Sequence, residues 1–378
     1  MSASLSFLMA GGGTGGHVIP LIAVARELRR RGHQPIFVGT RQGLEARLVP
    51  SEGFPVEWIE IGGLKGVGLA RSLRTFWQLP GSVARSLGIL KARRAAAVFS
   101  MGGYAAGPVM LAAWLRRIPM ALMEPNATAG LTNRWMGRFV DRALVNFAET
   151  AAQFPRGRTE LAGLPVRDEF FRVPAKSRDD VLTLLVTGGS QGSRRLNLAA
   201  RQSWPLFRAA GFPIRFIHQC GEQEHAALAR EFAASGLEGE VAPFIQDMPK
   251  VFAAADLVVC RSGAGSVSEL MAAGKPAILV PFPFAADQHQ LRNAEALARA
   301  GAARLVADSG FTGERLFREV SSVASEAGAL ERMGQAARAL ARPGAASRAA
   351  DILEELAGKQ IRIDSGPKSR NNTIEKCF

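Results

Sequence analysis

An apolar strand, a glycine loop and a helix follow one another twice in this chain, about 177 positions apart, and this repetition restricts the fold more than any other feature. Leu5 to Ala10 is an apolar run, Gly11 to His17 reads GGGTGGH, and Val18 to Leu28 has the apolar period of a helix. Leu182 to Thr187 leads in the same way into GGSQGS (Gly188 to Ser193) and a helix holding Leu196, Leu198 and Ala199. Further strands are expected at Gln34 to Val38, Ala96 to Ser100, Met120 to Met123, Arg142 to Asn146, Ile214 to Gln219, Glu240 to Pro243, Leu257 to Cys260, Ala277 to Val280 and Ala303 to Val306, alternating with helical segments. Such alternation gives parallel sheets covered by helices, because a parallel crossover needs a helix to return the chain. Two Rossmann-like α/β domains facing across an interdomain cleft are therefore expected, with ligands at the carboxyl ends of the strands. The link falls within Gly163 to Lys176, where Pro165 and Pro174 interrupt helical pattern. This divides the chain into 1–165 and 166–358, with the last helix able to pack back on the first domain, while 359–378 is polar, aperiodic and expected to be a disordered tail.

With 378 residues, 47% hydrophobic and 21% charged, the chain has the composition of a globular protein large enough for two cores. No apolar run reaches the roughly 18 residues that span a bilayer. Met1 to Ala10 lacks the basic segment and long apolar core of a cleaved signal, so a cytoplasmic location is expected. Cys220, Cys260 and Cys377 lie far apart, which argues against a zinc site or a disulfide framework. The net charge of +14 is unevenly spread. No acidic residue occurs between Glu60 and Glu124, whereas Lys65, Arg71, Arg74, Arg85, Lys91, Arg93, Arg94, Arg116 and Arg117 are interleaved with Phe76, Trp77 and several leucines. A basic amphipathic segment bearing aromatic residues suits an anionic membrane surface, with Arg71, Arg74, Phe76 and Trp77 as the contacts. Ordinary helices with solvated arginines are the plain alternative. No helix-turn-helix, zinc or RNP-type motif accompanies the charge, so nucleic acid is not an expected partner.

Glycine-rich loops end four of the strands: Gly11 to His17, Met101 to Pro108 (MGGYAAGP), Gly188 to Ser193, and Arg261 to Ser266 (RSGAGS). One such loop is commonly a tight turn. Four in two matched domains favour two anionic ligands, since glycines let backbone N–H groups approach an anion and the following helix adds partial positive charge. Gly11, Gly13 and Gly16 satisfy G-x-G-x-x-G, but the next strand ends in Gly39-Thr40 and not in the acidic residue a dinucleotide ribose requires. In the fourth loop, Ser266-Val-Ser-Glu269 reads either as a capping box or as a ribose-binding carboxylate at a diphosphate-binding helix end.

The segment CRSGAGSVSELMAAG (Cys260 to Gly274), with Lys275 to Phe284 and Asp287-Gln-His-Gln-Leu-Arg-Asn-Ala294, resembles the nucleotide-sugar motif of GT-B glycosyltransferases. Joined in order to GGGTGGH, MGGYAAGP, NATAGLTN (Asn126 to Asn133), GLPVR (Gly163 to Arg167) and GGSQGS, it makes the chain resemble the MurG family from residue 5 to about 300. The resemblance implies a GT-B fold and a peripheral enzyme on the cytoplasmic face of the membrane. It implies inverting transfer of N-acetylglucosamine from UDP-N-acetylglucosamine to the C4 hydroxyl of the muramoyl sugar of lipid I, undecaprenyl-diphosphoryl-muramoyl-pentapeptide, giving lipid II for peptidoglycan. No cofactor is implied, and with no D-x-D triplet no metal is expected.

By the same resemblance Arg167 and Ser190 match phosphate-region contacts and Ile245 the residue whose backbone reads uracil. Ala264, Gly265, Ser266 and Glu269 match diphosphate and ribose contacts, and His289 and Gln290 the tandem glutamines that address the sugar hydroxyls. Thr14, Gly15, Gly16 and Asn126 match further substrate-binding positions, and the loops carrying Gly13 to Gly16 and Gly102, Gly103 and Tyr104 would face the acceptor diphosphate. The sequence departs from the family pattern at His289, at Met123-Glu-Pro-Asn126 where His-Glu-Gln-Asn is frequent, and at Leu164 where Asn is usual.

Inverting transfer needs a base for the acceptor hydroxyl proton. His17 opens a helix whose dipole opposes its protonation, which favours the neutral imidazole; Tyr104, the only tyrosine, and Glu124 are rivals. Two other functions fit the same motifs less fully. An enzyme resembling UDP-N-acetylglucosamine 2-epimerase, or another GT-B enzyme, would share the donor site without needing the basic segment. A membrane-docked scaffold would bind the nucleotide-sugar without turnover.

Overall fold

The computed structural model describes residues 4–62, 69–176 and 180–365, with 69–76 and 361–365 described by backbone alone. The first sheet holds β1 (Ser6–Gly11), β2 (Gln34–Gly39), β3 (Val56–Trp58), β4 (Ala97–Gly102), β5 (Met120–Glu124), β6 (Arg142–Val145) and β7 (Thr159–Leu161), in the order β3-β2-β1-β4-β5-β6-β7. Its helices are α1 (Gly15–Arg30), α2 (Glu45–Ser51), α3 (Leu69–Ala92), α4 (Ala106–Leu115), α5 (Leu131–Met136), α6 (Ala148–Ala151) and α7 (Asp168–Phe171). The second sheet has β8 (Leu182–Thr187), β9 (Ile214–Gln219), β10 (Glu238–Ala242), β11 (Leu257–Cys260), β12 (Ala277–Leu279) and β13 (Ala303–Leu305), in the order β10-β9-β8-β11-β12-β13. With it run α8 (Arg194–Ala209), α9 (His225–Ser235), α10 (Met248–Ala254), α11 (Ala264–Ala273), α12 (His289–Arg299), α13 (Gly313–Ser325) and α14 (Ala329–Leu340), before a closing helix α15 (Ala345–Ser365).

The central strands pair in parallel, Phe7 beside Pro35 and Ala97 in the first sheet, Leu184 beside Phe216 and Leu257 in the second. Apolar runs rather than alternation mark them because helices cover both faces: Phe7, Leu8, Met9, Leu184, Leu185 and Val186 are fully buried. Every expected strand is present within two residues of its expected ends. Two were not foreseen, β3 and β7. Each has three residues and carries an exposed or half-exposed glutamate or leucine, too short for any period to register.

In each sheet the strand order reverses once, between β1 and β4 and between β8 and β11. The four glycine loops follow those four strands. At such a switch point neighbouring loops leave in opposite directions and open a crevice at the strand ends.

The chain divides into two compact units, and the division is not the expected one at 165/166. One unit comprises Met1–Met123, Trp135–Ala143 and Ser347–Phe378; the other comprises Glu124–Arg134 and Leu144–Ala346. Proline and glycine mark where the chain breaks its helical pattern, but packing decides membership. Ala127 and Phe147 lie in one core with Phe170 and Val267, and Asn146 Nδ2 donates to Ser268 Oγ at 3.0 Å. From Ser347 onward α15 belongs with the first unit: Arg31 of α1 reaches Asp351 at 2.6 Å and Glu354 at 3.0 Å, and His33 Nε2 lies 2.9 Å from Glu354. The same helix continues through Ser365, so 359–365 are helical and not part of a disordered tail; 366–378 lie outside the described residues.

Candidate active site

In the first unit the GGGTGGH loop runs from the end of β1 into α1. Thr14 is the N-cap, in extended conformation, and its carbonyl accepts the His17 and Val18 N–H groups at 3.1 Å. His17 therefore sits in the first turn, half-buried, with Nδ1 3.4 Å from Thr14 Oγ1. Gly15 and Gly16 lie in the same turn. The loop is held from behind by a residue that no motif announces, Glu45, which is buried at the start of α2. Its Oε2 accepts the Gly13 N–H at 2.9 Å, and its Oε1 accepts from Thr40 N at 3.0 Å and Thr40 Oγ1 at 2.9 Å. A Cβ on Gly12, Gly39 or Gly43 would come within 2.0 to 2.6 Å of this side chain, so these glycines form its cradle. Thr40 Oγ1 in turn lies 3.2 Å from Tyr104 OH, which fixes the tyrosine beside Gly13.

These bonds correct part of the expected acceptor contacts. The Gly13 N–H is taken by Glu45 and the Gly102 N–H by Ser100 Oγ at 3.0 Å, so neither is presented to an anion. Gly103 has a left-handed φ of 82°, and a Cβ there would meet Gly12 O at 2.8 Å, so only glycine fits.

In the second unit a pocket of about 730 Å³ lies at the switch point, lined by the GGSQGS and RSGAGS loops together with Arg194, Phe282, Phe284 and Gln290. Its size is that of a small-molecule site. Two helix N-termini border it. Ser193 caps α8, its Oγ accepting the Leu196 N–H. The cap of α11 is Gly263, so Ser266 is already inside the helix and makes no cap bond; the capping-box reading of Ser266 and Glu269 is overturned. Ala264, Gly265 and Ser266 occupy the first turn of α11, where N–H groups have no partner within the helix and favour an anion. Arg261 joins the two loops: it donates to Ser193 Oγ at 3.2 Å and to Val280 O at 3.0 Å, and pairs with Asp308 at 2.5 Å. Ser190 is exposed in its loop.

Glu269 lies half-buried one turn further along α11 and accepts no hydrogen bond among the described residues. Burial pushes its carboxyl up to about 7, and the charge of Arg167 pulls it partly back. Arg167 is the exposed N-cap of α7, its guanidinium 5.1 Å over the Phe170 ring. His289 and Gln290 open α12 after Asp287 and Gln288, two non-glycine residues in left-handed conformation, an unfavourable geometry that concentrates at functional sites. His289 Nδ1 lies 2.5 Å from Ala286 O, which can only accept, so Nδ1 carries the proton and Nε2 is left as an acceptor. Burial lowers its pKa from the ordinary histidine value, which keeps the ring neutral near pH 7. Gln290 Oε1 accepts the Phe282 N–H at 2.9 Å, leaving its amide N–H groups for a ligand. The Ile245 N–H is already bonded, to Gln219 Oε1 at 2.8 Å.

Glu124 and Asn126 belong to this unit and not to the one holding His17 and Tyr104. Glu124 is buried, with Asn126 N and Nδ2 on one oxygen at 3.0 and 3.1 Å and Gly130 N and Asn133 Nδ2 on the other at 3.0 and 2.9 Å. Burial raises its pKa and these four donors oppose the rise. With both oxygens occupied, Glu124 shapes the loop from 124 to 134 and is poorly placed to take a substrate proton. Asn126 Oδ1 accepts from Asn293 Nδ2 at 3.1 Å, and Asn293 Oδ1 accepts the Ala127 N–H at 2.8 Å, so this loop is pinned to α12 beside His289 and Gln290. Nothing in the sequence around Asn293 marks this role, because its partners Asn126 and Ala127 are distant along the chain.

Of the expected membrane contacts, Arg71, Arg74 and Phe76 lie outside the residues with described side chains. Trp77 is described, on α3, and is 80% exposed.

Two parallel-sheet units, one with a pocket bordered by two helix N-termini at its switch point and the other with a histidine-bearing glycine loop at the equivalent place, define a GT-B glycosyltransferase. The sequence matches the glycosyltransferase family 28 N-terminal domain over residues 7–145 and the family 28 C-terminal domain over residues 183–356. It is 64% identical over 359 residues, 94% of this chain and 97% of the relative, to the UDP-N-acetylglucosamine–N-acetylmuramyl-(pentapeptide) pyrophosphoryl-undecaprenol N-acetylglucosamine transferase of Solibacter usitatus (strain Ellin6076). The crystal structure of Acinetobacter baumannii MurG superposes with a TM-score of 0.80 at 32% identity, covering 93% of this chain and 100% of that one. A UDP-GlcNAc 2-epimerase from Neisseria meningitidis, bound to UDP-GlcNAc, shares the fold alone, with a TM-score of 0.64 at 13% identity over 93% of this chain and 99% of that one. The chain belongs to the MurG family of N-acetylglucosamine transferases within glycosyltransferase family 28.

Proposed function

We propose that the chain transfers N-acetylglucosamine from UDP-N-acetylglucosamine to the muramoyl C4 hydroxyl of lipid I, yielding lipid II with inversion. The observation that carries this reading is the 64% identity with the transferase named above across nearly the whole of both chains. The epimerase reading rests on fold alone and is not favoured. In the second unit, the N-termini of α8 and α11 would receive the diphosphate, which stabilises departing UDP without a bound cation. Glu269, with no hydrogen bond among the described residues, would accept both ribose hydroxyls, with Arg167 and Ser190 toward the phosphates. His289 Nε2 and the Gln290 amide would meet sugar hydroxyls as acceptor and donor. His17, in the first turn of α1, would take the acceptor proton, and Thr14 to Gly16 with Gly103 would face the acceptor diphosphate.

The same reading places the protein at the cytoplasmic face of the membrane. No helix among the described residues is long and apolar enough to cross one. Exposed Trp77 on α3, and exposed Trp114 and Leu115 at the end of α4 beside exposed Arg116 and Arg117, support contact with an anionic lipid surface. Transfer of labelled sugar from UDP-N-acetylglucosamine to a lipid I analogue tests the activity. UDP release with formation of the disaccharide lipid is expected. Tight donor binding without turnover would leave a scaffold, and formation of the 2-epimer would move the chain to the epimerase reading.

A further inference from the structure

Gln219 is the last residue of β9, the strand that lies between β10 and β8, and it is buried. Its carboxamide is used at both ends. Nε2 donates to Gly189 O at 2.8 Å and to Thr187 Oγ1 at 3.3 Å, while Oε1 accepts the Ile245 N–H at 2.8 Å. Thr187 Oγ1 also accepts the Gly189 N–H at 3.1 Å, so the turn into the GGSQGS loop is tied to the same amide. A carbonyl faces one end of the group and an N–H faces the other, so the orientation of the amide is dictated by its partners.

One rigid planar side chain thus spans from the loop after β8, which lines the pocket, to the loop after β10, where Phe244 and Ile245 lie. The amide adds to bonds that each loop already has, Gly192 N–H to Gly189 O at 3.0 Å and Arg261 to Ser193 Oγ at 3.2 Å in the first and Gly221 N–H to Pro243 O at 3.1 Å in the second, and it alone among these bonds links one loop to the other. Gly189 is in left-handed conformation, and Phe244 is more than half exposed. We infer that Gln219 is a positioning residue that sets the spacing between the phosphate-binding and base-reading ends of the donor site, and through it the preference for uracil. The inference rests on the UDP-sugar site proposed above. The chemical reason lies in the Phe244–Ile245 peptide. With its N–H held inward by Gln219, a planar trans peptide turns the Phe244 carbonyl the opposite way, away from Gln219. An acceptor held there pairs with the N3–H of uracil and meets a lone pair at N3 of cytosine. Buried hydrogen bonds of this kind discriminate strongly only when the group is held in place.

The test is calorimetric titration of the full-length protein and two variants with UDP and with CDP, alongside thermal melting. The parent is expected to prefer UDP. Gln219→Leu removes the tie between the two loops, and UDP affinity should fall about 10- to 100-fold while the UDP-to-CDP preference collapses toward one. Gln219→Glu keeps an acceptor for Ile245 but sets an oxygen against Gly189 O. It should lose about tenfold in affinity for both nucleotides and keep the parent preference. Unchanged UDP affinity and preference in a folded Gln219→Leu protein would overturn the inference. So would equal losses for UDP and CDP in both variants together with a lowered melting point, since that describes a residue needed only for folding. A parent that binds neither nucleotide overturns the donor-site reading itself, and the two failures are distinguished by the parent titration.

Discussion

At the scale of single residues the proposed chemistry rests on Glu269 and His17, and both make predictions with a sign. The Glu269 carboxyl is pushed up to about 7 in the ligand-free protein, above its ordinary 4.5. Folding therefore favours the protonated form, and the associated stability is complete below pH 4.5 and lost as pH rises through 7. Partial exposure reduces the effect to about 1 to 2 kcal/mol. Denaturant titrations from pH 5 to 8 should show Glu269→Gln gaining on the parent as pH rises; parallel pH profiles would exclude Glu269 as the source. A carboxylate that accepts ribose hydroxyls must be ionised, so UDP-N-acetylglucosamine affinity should strengthen between pH 6 and 8 in the parent. In Glu269→Ala it should be at least about tenfold weaker, with that pH dependence gone. For His17 the informative variant is His17→Asn, since an amide can hydrogen-bond but is a very poor base. Turnover should fall by about 10² to 10⁴ with donor affinity nearly unchanged, because His17 and the proposed donor pocket belong to different units. Full activity of His17→Asn at saturating acceptor would eliminate it as the base. Tyr104, hydrogen-bonded to Thr40, would then be the next to replace.

At the scale of elements, the two units use the same device and stabilise it differently. The loop after β1 is pinned by a buried carboxylate, Glu45, and the loop after β8 by a buried carboxamide, Gln219. In both, the side chain that fixes the glycine loop comes from a neighbouring segment, which is why neither glycine pattern announces it. Helix α3 turns Ser82, Ser86, Ile89 and Leu90 inward and leaves Trp77 in solvent. Burying such a side chain in a lipid interface gains on the order of 2 to 3 kcal/mol. Trp77→Ser should therefore weaken sedimentation with vesicles of anionic lipid by roughly tenfold or more while UDP titrations stay as in the parent. Equal vesicle binding by the two proteins would remove Trp77 from any membrane contact.

For the whole molecule, the C-terminal helix is fastened to the first unit by a charged cluster. Arg31 bonds Glu27, Asp351, Glu354 and Ser347, and the paired arginines Arg30 and Arg31 hold the Glu27 carboxyl down to about 2. Arg31→Ala would leave Asp351 without its ion pair and take one partner from Glu27 and Glu354, which keep Arg30 and His33, and weakening a partly buried network of this kind costs about 1 to 3 kcal/mol. A lowered unfolding midpoint with unchanged UDP affinity is the expected result, and an unchanged midpoint would show that α15 is held by its apolar contacts alone. The alternation of strands and helices, the four glycine loops and the family were legible in the sequence because they depend on local composition and spacing. The membership of Glu124–Arg134 and of α15, the bonds that take the Gly13, Gly102 and Ile245 N–H groups, the saturation of Glu124 and the absence of a capping box at Ser266 were not legible. Each of these depends on which distant groups meet, and hydrogen-bond partners such as Asn126 and Asn293, or Gly13 and Glu45, are chosen by packing in three dimensions. Local sequence determines what a segment can form, and only tertiary contact decides which of its polar groups remain free for a ligand.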